Sequence, residues 1–406
     1  MDTALLSQLA SPQGQTLMEA IANLNTKDSL ALSRALRKQG FAAELVAAAL
    51  TQNRLRTQAE AKLGPFAERM FFTQAGLEQA TRLPVAAHHA RRFLGAGVTT
   101  LADLTSGIGA DSMAFAALGL NVVASEIDPL TAAIAAENLA PFPNAQVVNR
   151  DGLTTDFVGE NIDGVYADPA RRDGAGKRIF DPQSYLPALD DVWNLRSQVS
   201  AVGIKVGPGI PHDALPAECE TQWVSLDGDV VEAGLWFGSV AHFHGRSALV
   251  LTTTAQGQQA TTYTAEGRQE HCDHARTASD LLTYIHEPDG AIIRAGLVSH
   301  LAHEAHGLLL DPTIAYFSSD LQQVSAQEGH GLTHAYRLLD TLPYNVKALR
   351  SYLRERKVGR VTIKKRGIGV TPEQLRPQLS LKGDNEATII LTRVNDKKMA
   401  LIVEPV

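Results

Sequence analysis

The stretch that most limits what this chain can fold into is residues 103–111, DLTSGIGAD, which follow an apolar run at 98–101 and precede a helical pattern at 112–118. A strand, a glycine turn and a helix start, in that order, predict one crossover unit of an open α/β sheet with a ligand site at the turn. Gly107 and Gly109 permit positive φ and a close approach of backbone to ligand, and the N–H groups at the helix start point into the same space. From residue 98 onward short β-branched runs alternate with helical stretches, as in a parallel sheet covered by crossover helices. Strands are read at 99–104, 121–125, 146–149, 164–167, 201–206, 221–226 and 248–252, so seven strands fit one doubly wound, Rossmann-like domain.

The flanks read differently. Residues 1–95 show helical periodicity, with Leu17 and Ile21, then Leu32 and Leu36, then Leu45, Val46, Ala49 and Leu50, and Pro84 suits a helix start. A polar stretch after the seventh strand reads as a linker or an edge hairpin. A small α+β region follows, with helices at 300–309 and 335–355 and strands at 360–364, 387–392 and 399–404. The expected parts are therefore 1–95, 96–255 and 270–406, and 406 residues with 44% hydrophobic content suffice for two or three cores. No apolar run reaches the roughly 18 residues of a membrane span, and the N-terminus lacks a secretory signal pattern. Two cysteines, Cys219 and Cys272, agree with a reducing compartment, and a cytoplasmic location is expected.

An acid at the end of the first strand, small residues in the turn and an acid at the end of the second strand suit a ligand carrying ribose. Asp103, Thr105, Gly107, Gly109, Asp111 and Glu126 fill that region. The spacing from Gly107 to Glu126 is shared by nicotinamide dinucleotide sites. Two features favour a sulfonium methyl donor: Ser112 replaces the third glycine of G-x-G-x-x-G, and Asp103 would repel a pyrophosphate. Asp151 is placed to accept from an adenine amino group, or simply forms an Asp-Gly turn. Asp128 reads equally as a ribose contact or as a helix cap.

The run DGVYADPARRD sets Asp168, Pro169, Ala170 and Arg171 after an apolar strand, at the carboxyl edge where open α/β folds bind ligands. A carboxylate fixed by Pro169 can orient an amine nucleophile toward a methyl group, a displacement that needs alignment more than acid or base power. Arg171 and Arg172 suit a phosphate clamp or a salt bridge to Asp168. Arg178 and Asp181 belong to the loop that follows, and Lys205 ends the next strand at the same edge.

On these residues the chain resembles class I S-adenosylmethionine-dependent methyltransferases over 93–254. The whole chain looks like a bacterial family that joins a helical N-terminal part, this domain with its DPARRD stretch, and a C-terminal THUMP-like domain. The last likeness rests on VGRVTIKKRGIGVTPEQLR at 358–376 and ATIILTRVNDKKMALIVEP at 387–405. The resemblance implies S-adenosylmethionine as cofactor, RNA methylation as activity, and Asp168, Pro169 and Arg171 at the catalytic position. The chain departs from RNA uracil-C5 methyltransferases, which need a cysteine nucleophile where Lys205 and Val206 stand. It departs from amine methyltransferases with an aromatic after the prolines, since Arg171 stands there, leaving Tyr185 or Phe180 for base stacking. A base nitrogen is the favoured target.

The net charge of −7 hides a basic segment: Lys347, Arg350, Arg354, Arg356, Lys357, Arg360, Lys364, Lys365 and Arg366 against a single acid, Glu355. That is an electrostatic footprint for structured RNA, with Lys364, Lys365 and Arg366 at its centre, or else a solvated face. His271, Cys272 and His274, and His300, His303 and His306, invite a metal, but no CxxC pair supports one and none is expected. Phe71, Phe72 and Phe93 read as core anchors. Two other readings compete: a non-catalytic RNA-binding or assembly factor that keeps the fold, and a nicotinamide-dependent oxidoreductase.

Overall fold

The computed structural model describes residues 1–23, 29–170, 185–264, 272–324 and 331–406. The chain divides into two compact units. The first takes residues 1–206, 210–219 and 234–242, and the second takes 207–209, 220–233 and 243–406.

The first unit opens with helices α1 (Thr3–Ala10), α2 (Pro12–Asn23), α3 (Ser29–Lys38), α4 (Ala43–Leu63), α5 (Gln74–Gln79) and α6 (Leu83–Gly95). Their starts are written locally: Asp2 caps α1 by accepting from Leu5 N, Thr73 caps α5 by accepting from Gly76 N, and Pro84 sits in the first turn of α6. Two buried amides fasten the segment between α4 and α5. The Gln52 side chain exchanges hydrogen bonds of 2.8 and 2.9 Å with the backbone of Phe72. The Asn138 side chain does the same with Phe71, at 2.7 and 3.0 Å, and also donates to Ile108 O at 2.8 Å, so every bond is satisfied inside the core. Phe71, Phe72 and Phe93 are buried, as expected of core anchors.

Strands β1 (Thr100–Asp103), β2 (Asn121–Glu126), β3 (Ala145–Asn149), β4 (Gly164–Ala167) and β5 (Ala201–Val206) run parallel in the order β3-β2-β1-β4-β5. Helices α7 (Ala110–Ala117) and α8 (Pro129–Leu139) make the crossovers, and α9 (Leu189–Trp193) precedes β5. The order reverses between β2 and β4 on either side of β1, so a crevice opens at the carboxyl ends of β1 and β4, where doubly wound sheets hold ligands. The fold class is the expected Rossmann-like α/β core.

Between residues 96 and 264 nine strands stand among the described residues where seven were read. The readings match β1 to β5, β6 (Glu220–Leu226) and β8 (Gly245–Thr254). The additions are β7 (Asp229–Gly238) and β9 (Gly257–Thr264). In β7 residues 232–237 are all buried, which removes the alternation that marks a half-buried strand. β9 pairs antiparallel with β8 through a turn at Thr254 and Gly257, so the polar stretch is a hairpin.

In the second unit β6 pairs parallel with β8. Its other sheet orders β11 (Leu308–Asp311), β12 (Ile314–Ser319), β10 (Tyr284–Pro288), β13 (Thr333–Pro343), β16 (Lys397–Pro405), β15 (Asn385–Val394) and β14 (Val358–Lys365). Helices α10 (Gly290–Ala295), α11 (Val298–Glu304), α12 (Val346–Glu355) and α13 (Pro372–Leu379) complete it. α12 and α13 share a core with Ile363, Ile389, Leu391 and Ile402.

Two helices read from sequence are corrected. Residues 335–355 are half strand: β13 runs to Pro343 before α12 begins, and a register shift between Leu338 and Asp340 breaks its alternation so that it mimics helical spacing. Residues 300–309 are likewise split, α11 ending at Glu304 and His306 adopting φ 49° before β11. No helix among the described residues is long and apolar enough to cross a membrane.

Candidate active site

At the end of β1 the chain turns through Gly107 (φ 55°) and Gly109 (φ 86°), and Gly109 is the N-cap of α7. A Cβ on Gly107 would meet nothing within 4 Å, whereas one on Gly109 would press Leu139 at 3.3 Å. Gly109 is thus a packing and conformational requirement, and Gly107 leaves the turn open toward the crevice. Glu126, ending β2, holds this turn: its carboxylate accepts from Gly107 N at 3.0 Å and from Asp128 N at 2.9 Å. Asp128 caps α8 by accepting from Thr131 N, the helix-cap alternative for that residue. Asp151 is exposed and accepts from Leu153 N in a short turn, where Gly152 lies so close to Leu104 that a Cβ would stand 2.2 Å from its carbonyl oxygen. Ile127, absent from the residues that sequence reasoning singles out, is 70% exposed beside Glu126. Its signal is an apolar residue directly after a strand-end acid.

Asp103 is turned inward and is 1% exposed. Its carboxylate accepts from Ser112 Oγ at 2.5 Å and from Thr105 N at 3.2 Å. Burial pushes its pKa up to about 7, against the pull of the Ser112 hydrogen bond. Ser112 therefore stands in place of a third glycine because it serves Asp103.

The DPA corner is joined directly to the glycine turn: Asp168 N donates to Thr105 Oγ1 at 2.7 Å. Pro169 is buried and fixes the backbone beyond it. The Asp168 carboxylate lies 2.5 Å from Lys205 Nζ. Lys205 also donates to Thr81 Oγ1 at 2.7 Å, and Thr81 donates to Asp111 Oδ2 at 2.6 Å. His89 Nδ1 stands 3.1 Å from Asp111 Oδ1, and the Tyr166 hydroxyl stands 3.2 Å from the same nitrogen. Burial would raise the Asp111 pKa, but the His89 hydrogen bond and the Lys205 charge outweigh it and hold the carboxyl below its ordinary value. Asp111, read as a cofactor contact, thus faces the Asp168 side of the site. Sequence reasoning missed Thr81 just ahead of α6, His89 on α6 and Tyr166 on β4, which only tertiary packing brings here. Arg171, Arg172, Arg178, Phe180 and Asp181 lie outside the described residues, and Tyr185 is buried.

This arrangement suits a cationic, nucleoside-bearing ligand. Carboxylates end β1 and β2, backbone N–H groups head α7, the space over Gly107 is open, and Ser106 Oγ is buried without a hydrogen-bond partner among the described residues. The Asp168 corner beside it offers an oriented hydrogen-bond acceptor.

In the second unit the basic segment is split by its own contacts. Lys364 Nζ lies 2.6 Å from Glu287 Oε2, and the Arg366 guanidinium stands 5.2 Å over the Tyr316 ring, while Lys365 is exposed. Lys347, Arg350 and Arg354 occupy the exposed stripe of α12, at helical spacing. No group of His, Cys, Asp and Glu among the described residues is arranged to hold a metal; His271 lies outside them.

The chain matches known families at both ends. Residues 333–405 match the THUMP domain-like family, and residues 2–59 match a domain family of unknown function, DUF8688. Two curated relatives, from two strains of Mycobacterium tuberculosis, are each named as an uncharacterized S-adenosylmethionine-dependent methyltransferase. They are 33% identical over 354 residues, 84% of this chain and 90% of theirs. A crystal structure from Porphyromonas gingivalis, carrying a provisional methyltransferase name, superposes with a TM-score of 0.70 at 20% identity, over 94% of this chain and 99% of its own. That likeness is one of fold.

Proposed function

This chain belongs to the S-adenosylmethionine-dependent methyltransferases, and from that premise we propose that it methylates RNA, at a base nitrogen. Family membership sets the nicotinamide reading aside. The observation that carries the site assignment is the 2.7 Å bond from Asp168 N to Thr105 Oγ1, which locks the DPA corner to the glycine turn.

Asp103, Thr105, Gly107, Gly109, Asp111, Glu126 and Asp151 are assigned to holding or framing the donor, with Ile127 offering an apolar surface beside Glu126. The donor supplies an electrophilic methyl group. Glu126 already orders the turn through Gly107 N and can share its oxygens with ribose hydroxyls. The Asp168 carboxylate, fixed by Pro169 and paired with Lys205, accepts a hydrogen bond from an amine nucleophile and aligns its lone pair. Arg171 and Arg172 are assigned to the substrate side. In this reading residues 96–255 carry the chemistry, and residues 1–95 and 270–406 recruit the RNA.

RNA is favoured by the THUMP domain-like match and by the basic residues of that region, in a chain whose net charge is −7. The test is mass spectrometry of modified nucleosides from cells with and without the gene, followed by transfer to the unmodified RNA in vitro. Loss of one N-methylated nucleoside is expected; an unchanged RNA profile would remove RNA as the substrate.

A further inference from the structure

We propose that Lys205 and Thr81 are positioning residues of the methyl-transfer site, joined with Asp111 and His89 in one buried chain that keeps Asp168 an acceptor of hydrogen bonds rather than of protons. The inference rests on the methyltransferase reading and deepens it by fixing the charge of the catalytic corner.

Each bond in the chain has a direction. Lys205 Nζ lies 2.5 Å from Asp168 Oδ2 and donates to Thr81 Oγ1, so the Thr81 hydroxyl turns its own proton to Asp111 Oδ2. Asp111 Oδ1 faces His89 Nδ1 at 3.1 Å, which places the proton on that nitrogen. Asp111, in the first turn of α7, is thereby linked through Thr81 to the corner after β4. The glycine turn and the corner are bolted together at two points, this chain and the Thr105 hydroxyl.

The surrounding charges decide what the chain does. Lys62 of α4 and Lys205 repel one another, while Arg82 ahead of α6 and Glu78 of α5 act on Lys62 with opposite signs. Asp103 of β1 repels both Asp111 and Asp168, and His88 neighbours His89. Lys62 is already held by the carbonyls of Leu77 and Glu78, each at 2.7 Å, so it does not replace Lys205. Removing the Lys205 charge takes away the cation 2.5 Å from the Asp168 carboxylate, which is 30% exposed, and so raises its affinity for a proton. A protonated Asp168 donates where it should accept.

The test reads Asp168 directly. The full chain is labelled at the aspartate carboxyl carbon, and the Asp168 signal, assigned through Asp168→Asn, is titrated by ¹³C NMR. Lys205→Met is expected to raise its midpoint by about two pH units and Thr81→Val by about one, with Thr81→Ser close to wild type. In parallel, transfer of labelled methyl from S-adenosylmethionine to total RNA from cells lacking the gene should gain an acid limb in Lys205→Met, with donor affinity by calorimetry within about three-fold. An Asp168 midpoint that is the same in wild type, Lys205→Met and Thr81→Val overturns the proposal. A shifted midpoint in a protein that methylates no RNA supports it and counts against the RNA substrate alone.

Discussion

The backbone N–H of Asp168 is bound by the hydroxyl of Thr105, 2.7 Å away, although the two residues sit 63 positions apart, each just beyond the end of a different strand. This direct bond, beside the Lys205–Thr81–Asp111 chain, fixes the distance between the turn assigned to the donor and the corner assigned to the acceptor. In-line displacement tolerates little slack there, and misplacement of about 1 Å costs on the order of 100-fold.

Thr105→Val removes the hydroxyl while keeping the shape. Methyl transfer is expected to fall about 10- to 100-fold with a small change in melting temperature, and Thr105→Ser is expected to restore it. Steady-state kinetics on the three proteins check this, and equal rates for Val and Thr would show that the bond does not set the alignment.

Asp168→Ala is expected to abolish transfer and to leave donor affinity within a few-fold, since the carboxylate faces the acceptor side. Calorimetry with S-adenosylmethionine beside the activity assay separates the two effects. Retained activity would take Asp168 out of the chemistry.

The buried Asp103 carboxyl has its pKa pushed up to about 7, so near neutrality it is partly protonated. A cationic donor favours the ionised form, so affinity should rise with pH between about 6 and 8, with proton release on binding. Calorimetry in buffers of different ionisation heat measures that release, and Asp103→Asn should flatten the dependence. A pH-independent affinity in the wild type would place Asp103 outside the donor's field.

His286 is fully buried, with Nε2 2.9 Å from Leu321 O, Nδ1 3.1 Å from Thr333 Oγ1, and its ring stacked on Phe317 at 4.7 Å. The neutral tautomer fits both partners, and burial lowers the pKa from 6.5 to about 4. The unfolded chain thus binds the proton first as pH falls, so this stability is present above about 6.5 and lost as pH drops toward 4. Denaturant unfolding should show His286→Gln less stable at pH 7 yet with a shallower loss between those values. Parallel pH curves would deny His286 that role.

Charge reversal of Lys347, Arg350 and Arg354 on the exposed stripe of α12 should weaken RNA binding and reduce its salt slope by up to about 0.7 for each phosphate no longer neutralised. Lys364→Glu is a different experiment, because it sets a carboxylate against Glu287 and should lower the melting temperature as well. An unaltered slope in the α12 variant would make that stripe a solvated face.

Much of this was legible in the chain itself. The order of strand, glycine turn, strand-end acid and Asp-Pro corner depends on local backbone requirements, and local requirements leave marks at fixed spacings: positive φ at Gly107 and Gly109, and a rigid residue at Pro169. The helix cap at Asp128, one of two readings of that residue, belongs to the same class. Strand β13 was hidden because a bulge shifts its phase.

What tertiary structure alone decided was the charge arrangement. Thr81 and Lys205 are 124 residues apart and His89 and Tyr166 are 77, and no spacing rule links them. They meet because α6 packs beside α7 at the carboxyl edge of β4 and β5. Sequence named the carboxylates, while side-chain packing chose their partners, since hydrogen-bond energy depends on distances of a few ångströms that a linear pattern does not encode.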